Sequence, residues 1–249
     1  MLNIDLKLFK KNHKKSKNQV LYHAIKSNGI KEIENLINNF LNVRNSFVFE
    51  SVEKGFIKGR YTIFGKNPDK IWEFNNNNCV LNYENKRKKL RGTPKDNIEK
   101  IIENFNFKIP SELPPISSII SGYFSYDTIR YIEKIPNSTK NDLKIPDARI
   151  LRPKNLVVFD NVKKKLFFIV NCFSDEKIKN YQVKYDQIQK EIEEMIFLAN
   201  YSYKINQSKT KISKPKVKSN ISKKKFLSNV SKAKNYIKIG DIFQVVLSQ

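Results

Sequence analysis

Residues 155–160 (NLVVFD) and 166–170 (LFFIV) are two apolar runs separated by a short lysine-rich stretch. Two such runs around a polar turn read as a β-hairpin. A lone hairpin is marginal in water, so this pair requires a larger sheet. Further strands are legible upstream. Residues 46–53 (SFVFESVE) read as a strand and 60–64 (RYTIF) as its partner, with the turn-prone pairs Lys54-Gly55 and Lys58-Gly59 between them. Residues 70–74 and 79–83 follow as two more short strands around an asparagine tract, and the pattern is a meander. Residues 116–126, apolar and rich in Ser and Gly, are expected to form a central strand.

The helices come separately. Residues 31–41 place Ile33, Leu36, Ile37, Phe40 and Leu41 on one helical face. Thr93-Pro94 opens a second helix, with Thr as N-cap, Pro at the first position and Asp96 three residues on. Its expected buried face is Ile98, Ile101, Ile102 and Phe105. From Ile178 to Ala199, apolar or aromatic residues recur at alternating spacings of three and four, a stripe for packing on the protein's own sheet. A last helix starts at the cap Ser222 and ends before Gly240, burying Phe226, Val230, Ala233 and Ile237. After it, 241–247 (DIFQVVL) reads as a strand buried on both faces. Strands in a meander with separate helices specify an α+β fold, not alternating βαβ units.

Composition excludes several functions. The formal net charge is +24, which invites a nucleic-acid reading. However, 41 of the 48 basic residues are Lys, and there are 31 Ile and 30 Asn but only 4 Ala. A genome rich in A/T codons explains all of these counts at once, and phosphate and base readers lean on Arg. Residues 204–225 carry basic residues with no acidic one, and 201–220 read as a surface linker. Two cysteines, Cys79 and Cys172, sit in apolar runs and are expected as buried thiols. With His13 and His23 as the only histidines, no metal or catalytic histidine cluster is present. No apolar run reaches the roughly 18 residues of a membrane span. The N-terminus lacks a secretory h-region and is expected as a ragged start in the cytoplasm. No glycine-rich phosphate loop occurs.

Four blocks, taken in order, resemble one family. Residues 45–65 (NSFVFESVEKGFIKGRYTIFG) are similar to the "LLES … GRYS" region of anthranilate synthase component I. Residues 121–136 (SGYFSYDTIRYIEKIP) resemble its "GYFGYDxVRxxE" block, and 145–169 its "PD … P … VVFDH" block. Residues 219–249 resemble its block ending in "GDIFQVVLSQ". The resemblance implies a fold of antiparallel β-sheets packed face to face with outer helices, of which this chain supplies an incomplete part. It divides the chain into an N-terminal region (1–200), a basic linker (201–220) and the start of the chorismate-binding catalytic domain (221–249). The chain is accordingly expected to be the N-terminal half of a longer one.

The same resemblance implies the chemistry. The family uses Mg²⁺ to convert chorismate and ammonia into anthranilate and pyruvate. A glutamine amidotransferase subunit delivers the ammonia, and L-tryptophan inhibits. The Mg²⁺ ligands are expected in the other half, so none is assigned here. The tryptophan site falls on Glu50 and Ser51, with Lys58 added as the cation for the ligand carboxylate. A carboxylate and a hydroxyl suit an amino-acid ammonium through a charge-assisted hydrogen bond. Gln244 stands where isochorismate-forming relatives carry a Lys that activates water. A glutamine cannot take that proton and can only orient a nucleophile or substrate, which suits ammonia. The fragment alone is expected to be inactive. Two other readings stay open: aminodeoxychorismate synthase component I, and a basic binding module without catalysis. No nucleic acid and no membrane are expected as partners.

Overall fold

The hairpin at 155–170 is the middle of the sheet. In the computed structural model, which describes residues 2–27, 29–50, 59–76, 78–136, 143–202 and 216–249, it grows into β7 (Ala148–Asp160) and β8 (Lys165–Cys172). Asn155 to Asp160 pair with Val170 to Lys165. On its other side β7 pairs along almost its whole length with β3 (Tyr61–Asn75). The sheet has eight antiparallel strands, and its main path runs β1 (Gln19–Lys26), β8, β7, β3, β4 (Asn78–Tyr83), β5 (Lys86–Leu90). Two short strands attach beside this path: β2 (Phe47–Phe49) on β3 and β6 (Ser121–Phe124) on β7.

The chain divides into two compact units, 1–204 and 205–249, and the sheet belongs to the first. Helices α1 (Leu6–Lys14), α2 (Ile30–Asn39) and α4 (Tyr181–Asn200) cover one face. There Phe9, Leu36, Phe40, Ile188, Ile192 and Met195 pack on Phe64, Val157, Leu166, Phe168 and Val170. Alternate residues of the same strands, Leu156, Val158, Phe167 and Ile169, point to the other face, under Leu113 and the chain around it. Thus β7 and β8 are buried on both sides, which is why they read as unbroken apolar runs. Helix α3 (Pro94–Asn104) closes a third cluster, in which Ile101 meets Trp72, Phe74, Cys79, Ala148 and Ile150.

Several local expectations hold. The Thr93 hydroxyl accepts from the Asp96 amide at 3.1 Å and the Asp96 carboxylate accepts from the Thr93 amide at 3.0 Å, a complete capping box. The α4 stripe packs on its own sheet and buries Ile188, Ile192, Met195 and Ala199. Both cysteines are buried free thiols, and burial pushes them up to about 11 at Cys79 and about 12 at Cys172.

Other expectations are corrected. The basic N-terminus is not ragged. It forms α1 and the edge strand β1, held by fully buried Phe9 and Leu21. The two strands expected at 60–64 and 70–74 are one strand that bends through a register shift between Pro68 and Lys70. Pro68 faces Pro153 across the ladder, so two residues without an N–H meet at the irregularity. The strand expected over 116–126 shrinks to the four residues of β6, and Tyr126–Tyr131 form a 3₁₀ turn instead. On α3, Ile102 turns outward and Asn97 is buried in its place, donating to the carbonyls of Arg91 and Thr93. The described strands make one antiparallel sheet, and the α+β class stands.

In the second unit, α5 (Lys223–Lys238) starts at the Ser222 cap and stops before Gly240, whose φ is +85°. Of its expected inner face, Phe226, Val230 and Ala233 are partly buried, none is fully buried, and Ile237 is exposed. Residues 241–249 form no strand. A strand needs a neighbour for its backbone N–H and C=O groups, and no described strand pairs with this one.

Candidate functional site

Two resemblance blocks meet at one end of the sheet. Strand β2 pairs with β3, Phe47 opposite Gly65 and Phe49 opposite Ile63. The Phe47 ring lies over Gly65, so closely that a Cβ there would stand 2.2 Å from it and the ring would have to move. Glu50 follows directly after β2 and is exposed. Ser51 and Lys58 lie outside the described residues. On the other side of that stretch, Arg60 leads into β3 and grips Asp160 at the end of β7 with two bonds, 2.7 and 3.1 Å. The Asp160 carboxylate is almost wholly covered and also accepts from the amides of Val162 and Lys163. Burial alone would raise its pKa. The Arg60 guanidinium and the two amides outweigh burial and hold it below the usual carboxylate range. The partly exposed Arg of the "GRY" block and the buried Asp of the "VVFD" block therefore form one ion pair, which spacing alone did not reveal.

A second locus gathers around the GYFSYDTIRYIE block. Gly122 of β6 lies so close to β7 that a Cβ would sit 2.1 Å from the Arg149 carbonyl oxygen. The Tyr131 hydroxyl donates to Asp147 at 2.9 Å, and burial followed by this carboxylate raises its phenol. Asp147 also accepts from the Asn76 amide at 2.6 Å. Arg130 pairs with Asp127, and Arg149 reaches Glu73 and Asn45. Beside this framework, an open groove of about 620 Å³ runs between α3 and the 3₁₀ turn, lined mainly by Ile98, Phe124, Tyr126, Ile129 and Ile132. Asp127, Asp147 and Asp160 are thus all committed to structural partners.

Gln244 lies in the second unit, outside any strand and exposed. The buried strand setting expected for it is absent, for want of a pairing neighbour. Among the described residues no group of three or more His, Cys, Asp or Glu is arranged to hold a metal. The residues described therefore do not fit Mg²⁺.

Comparison with known proteins gives this arrangement a family. The fold is that of the crystal structure of anthranilate synthase component I from Streptococcus pneumoniae TIGR4, with a TM-score of 0.59 at 21% identity, covering 87% of this chain and 47% of that one. A family model described as chorismate binding enzyme matches residues 45–249, and the chain belongs to that family. Among relatives, anthranilate synthase component 1 of Cereibacter sphaeroides is 27% identical over 247 residues, covering 97% of this chain and 49% of the relative. Anthranilate synthase component 1 of Acetivibrio thermocellus is 34% identical over 210 residues, 82% of this chain and 42% of the relative. The chloroplastic anthranilate synthase alpha subunit 1 of Oryza sativa subsp. indica is 32% identical, covering 82% and 38%. The chain thus spans about half the length, or less, of these relatives. No helix of the described residues is long and apolar enough to cross a membrane.

Proposed function

We propose that this chain is the N-terminal part of anthranilate synthase component I. The observation that supports it most is the match to relatives of that name, one of which covers 97% of the chain. In the assembled enzyme, chorismate and ammonia give anthranilate and pyruvate, in the cytoplasm, with ammonia supplied by a glutamine amidotransferase subunit. Mg²⁺ would stabilise the developing negative charge from ligands outside the described residues. Gln244, unable to act as a base at neutral pH, would orient ammonia or substrate by hydrogen bonds. Residues 221–249 would open the catalytic region and 201–220 would link it to the sheet unit. Residues 1–249 alone would not turn chorismate over.

Glu50 and Ser51 would receive the ammonium of L-tryptophan and Lys58 its carboxylate. The Arg60–Asp160 pair supports this reading, because it anchors the chain two residues beyond Lys58 to the sheet.

The test is a chimera in which residues 1–249 replace the matching stretch of the Acetivibrio thermocellus relative. With chorismate, Mg²⁺ and ammonium, anthranilate fluorescence is expected to rise, and L-tryptophan is expected to suppress it. Ser51→Phe should relieve the suppression and leave uninhibited turnover within about twofold. A folded chimera without turnover would sink the proposal. Turnover that Ser51→Phe leaves fully tryptophan-sensitive would sink only the inhibitor site.

A further inference from the structure

The strand β5 has the sequence KRKKL and ends the sheet. Its inner edge pairs with β4, from Cys79 opposite Leu90 to Tyr83 opposite Lys86. No described strand pairs with its outer edge, so a row of backbone donors and acceptors faces outward. Lys86, Arg87, Lys88 and Lys89 are all exposed. Four of the five arginines outside residues 86–91, Arg60, Arg130, Arg149 and Arg152, are each paired with a carboxylate. By contrast, none of the four β5 cations, nor Arg91 beyond them, makes an ion pair among the described residues.

The register sorts these charges between the two faces. Paired residues of neighbouring strands share a face. Leu81 and Leu90 pack toward α3, and Leu81 pairs with Lys88. Lys86 and Lys88 therefore lie on the α3 face and Arg87 and Lys89 on the opposite one. A nucleic-acid backbone lying against one face would meet half of these charges. An extended acidic segment added alongside β5 places alternate carboxylates on both faces and meets all of them. The same lysines repel a second copy of β5, so the edge resists self-pairing while accepting an opposite charge.

We propose that the β5 edge is a docking site for an extended, acidic segment of a partner protein, which adds to the sheet as a ninth strand. The assignment is independent of the reaction proposed above.

The experiment titrates the 249-residue protein with an eight-residue polyglutamate and follows affinity together with hydrogen exchange of the amides of residues 86–90. Binding is expected to slow exchange of the outward-facing amides of β5 at least tenfold. The triple variant Arg87→Glu, Lys88→Glu, Lys89→Glu should lose at least tenfold in affinity. The control Lys163→Glu, Lys164→Glu, on the β7–β8 turn, should stay within twofold. A peptide alternating Glu and Thr, with carboxylates on one face only, should bind more weakly than polyglutamate. If the triple variant does not fold, Arg87→Ala should still cost two- to threefold. Three results would overturn the proposal: binding insensitive to the β5 variants, binding without protection of β5 amides, or tighter binding of a thymidine nonanucleotide.

Discussion

Residues 155–160 (NLVVFD) and 242–247 (IFQVVL) are nearly interchangeable in apolar character, yet they have opposite fates. In β7, Val157 and Val158 are completely buried, with β3 on one side and β8 on the other. In the second unit Phe243 is 99% exposed and Val246 79% exposed, with no strand formed. The difference lies in neighbours rather than in propensity. A strand is stable when its backbone groups and both side-chain faces are occupied, and only β7 has strands and layers to occupy them.

Mirror substitutions give the largest expected effect. Val157→Asp should cost about 4 kcal/mol or more, because a carboxylate would be buried without a partner. Val246→Asp should change stability by less than about 0.5 kcal/mol, as for other exposed positions. Urea denaturation checks both. Equal effects would mean that 242–247 is packed after all.

Close approach within the sheet ranks next. Gly122→Ala forces a methyl against the Arg149 carbonyl, part of the backbone that cannot turn aside. A loss of about 1–3 kcal/mol is expected. Gly240→Ala has open space around it, and its cost is confined to the positive φ at the end of α5, about 1 kcal/mol. Thermal melts of the two variants should separate accordingly.

The Arg60–Asp160 pair predicts a pH signature. The Asp160 pKa is depressed in the folded state. Its contribution is thus complete above the unfolded value of about 4 and is lost as pH falls through the folded value. Asp160→Asn should lower the denaturation midpoint at pH 7, and its deficit should shrink steadily below about pH 4. A deficit independent of pH would show that shape, not charge, matters there.

The smallest effects come from the caps. Thr93→Ala should cost about 1 kcal/mol in the main unfolding transition, because α3 closes the cluster around Trp72 and Phe74. Ser222→Ala removes an equivalent cap from α5 and should lower helicity by circular dichroism without moving that transition. A shift in the main transition would couple the second unit to the sheet.

Much of the fold was legible because its signals were local. The Thr93-Pro94-Asp96 cap, the 155–170 hairpin and the α4 stripe each depend on residues a few positions apart. The β1 strand was not legible, because QVLYHAIK lies in a basic segment and becomes a strand only by pairing with β8. KRKKL likewise has no apolar face of its own and is strand because β4 offers it hydrogen bonds. Ile102 and Asn97 exchanged places because helical periodicity gives a face only to within a residue or so, and neighbours choose the rotation. Of the candidate site, Glu50 is placed at the end of β2, while Asp160, an isolated acid in the sequence, proved to be the partner of Arg60.

By itself, then, the sequence determined the α+β class, the caps, the helix stripes and the family, since these follow from composition, short spacings and ordered blocks. Tertiary structure alone decided which apolar runs became strands, which glycines had to stay bare and which carboxylates were already committed. Those outcomes depend on groups distant in sequence meeting within a few ångströms, where burial and backbone pairing set the energies.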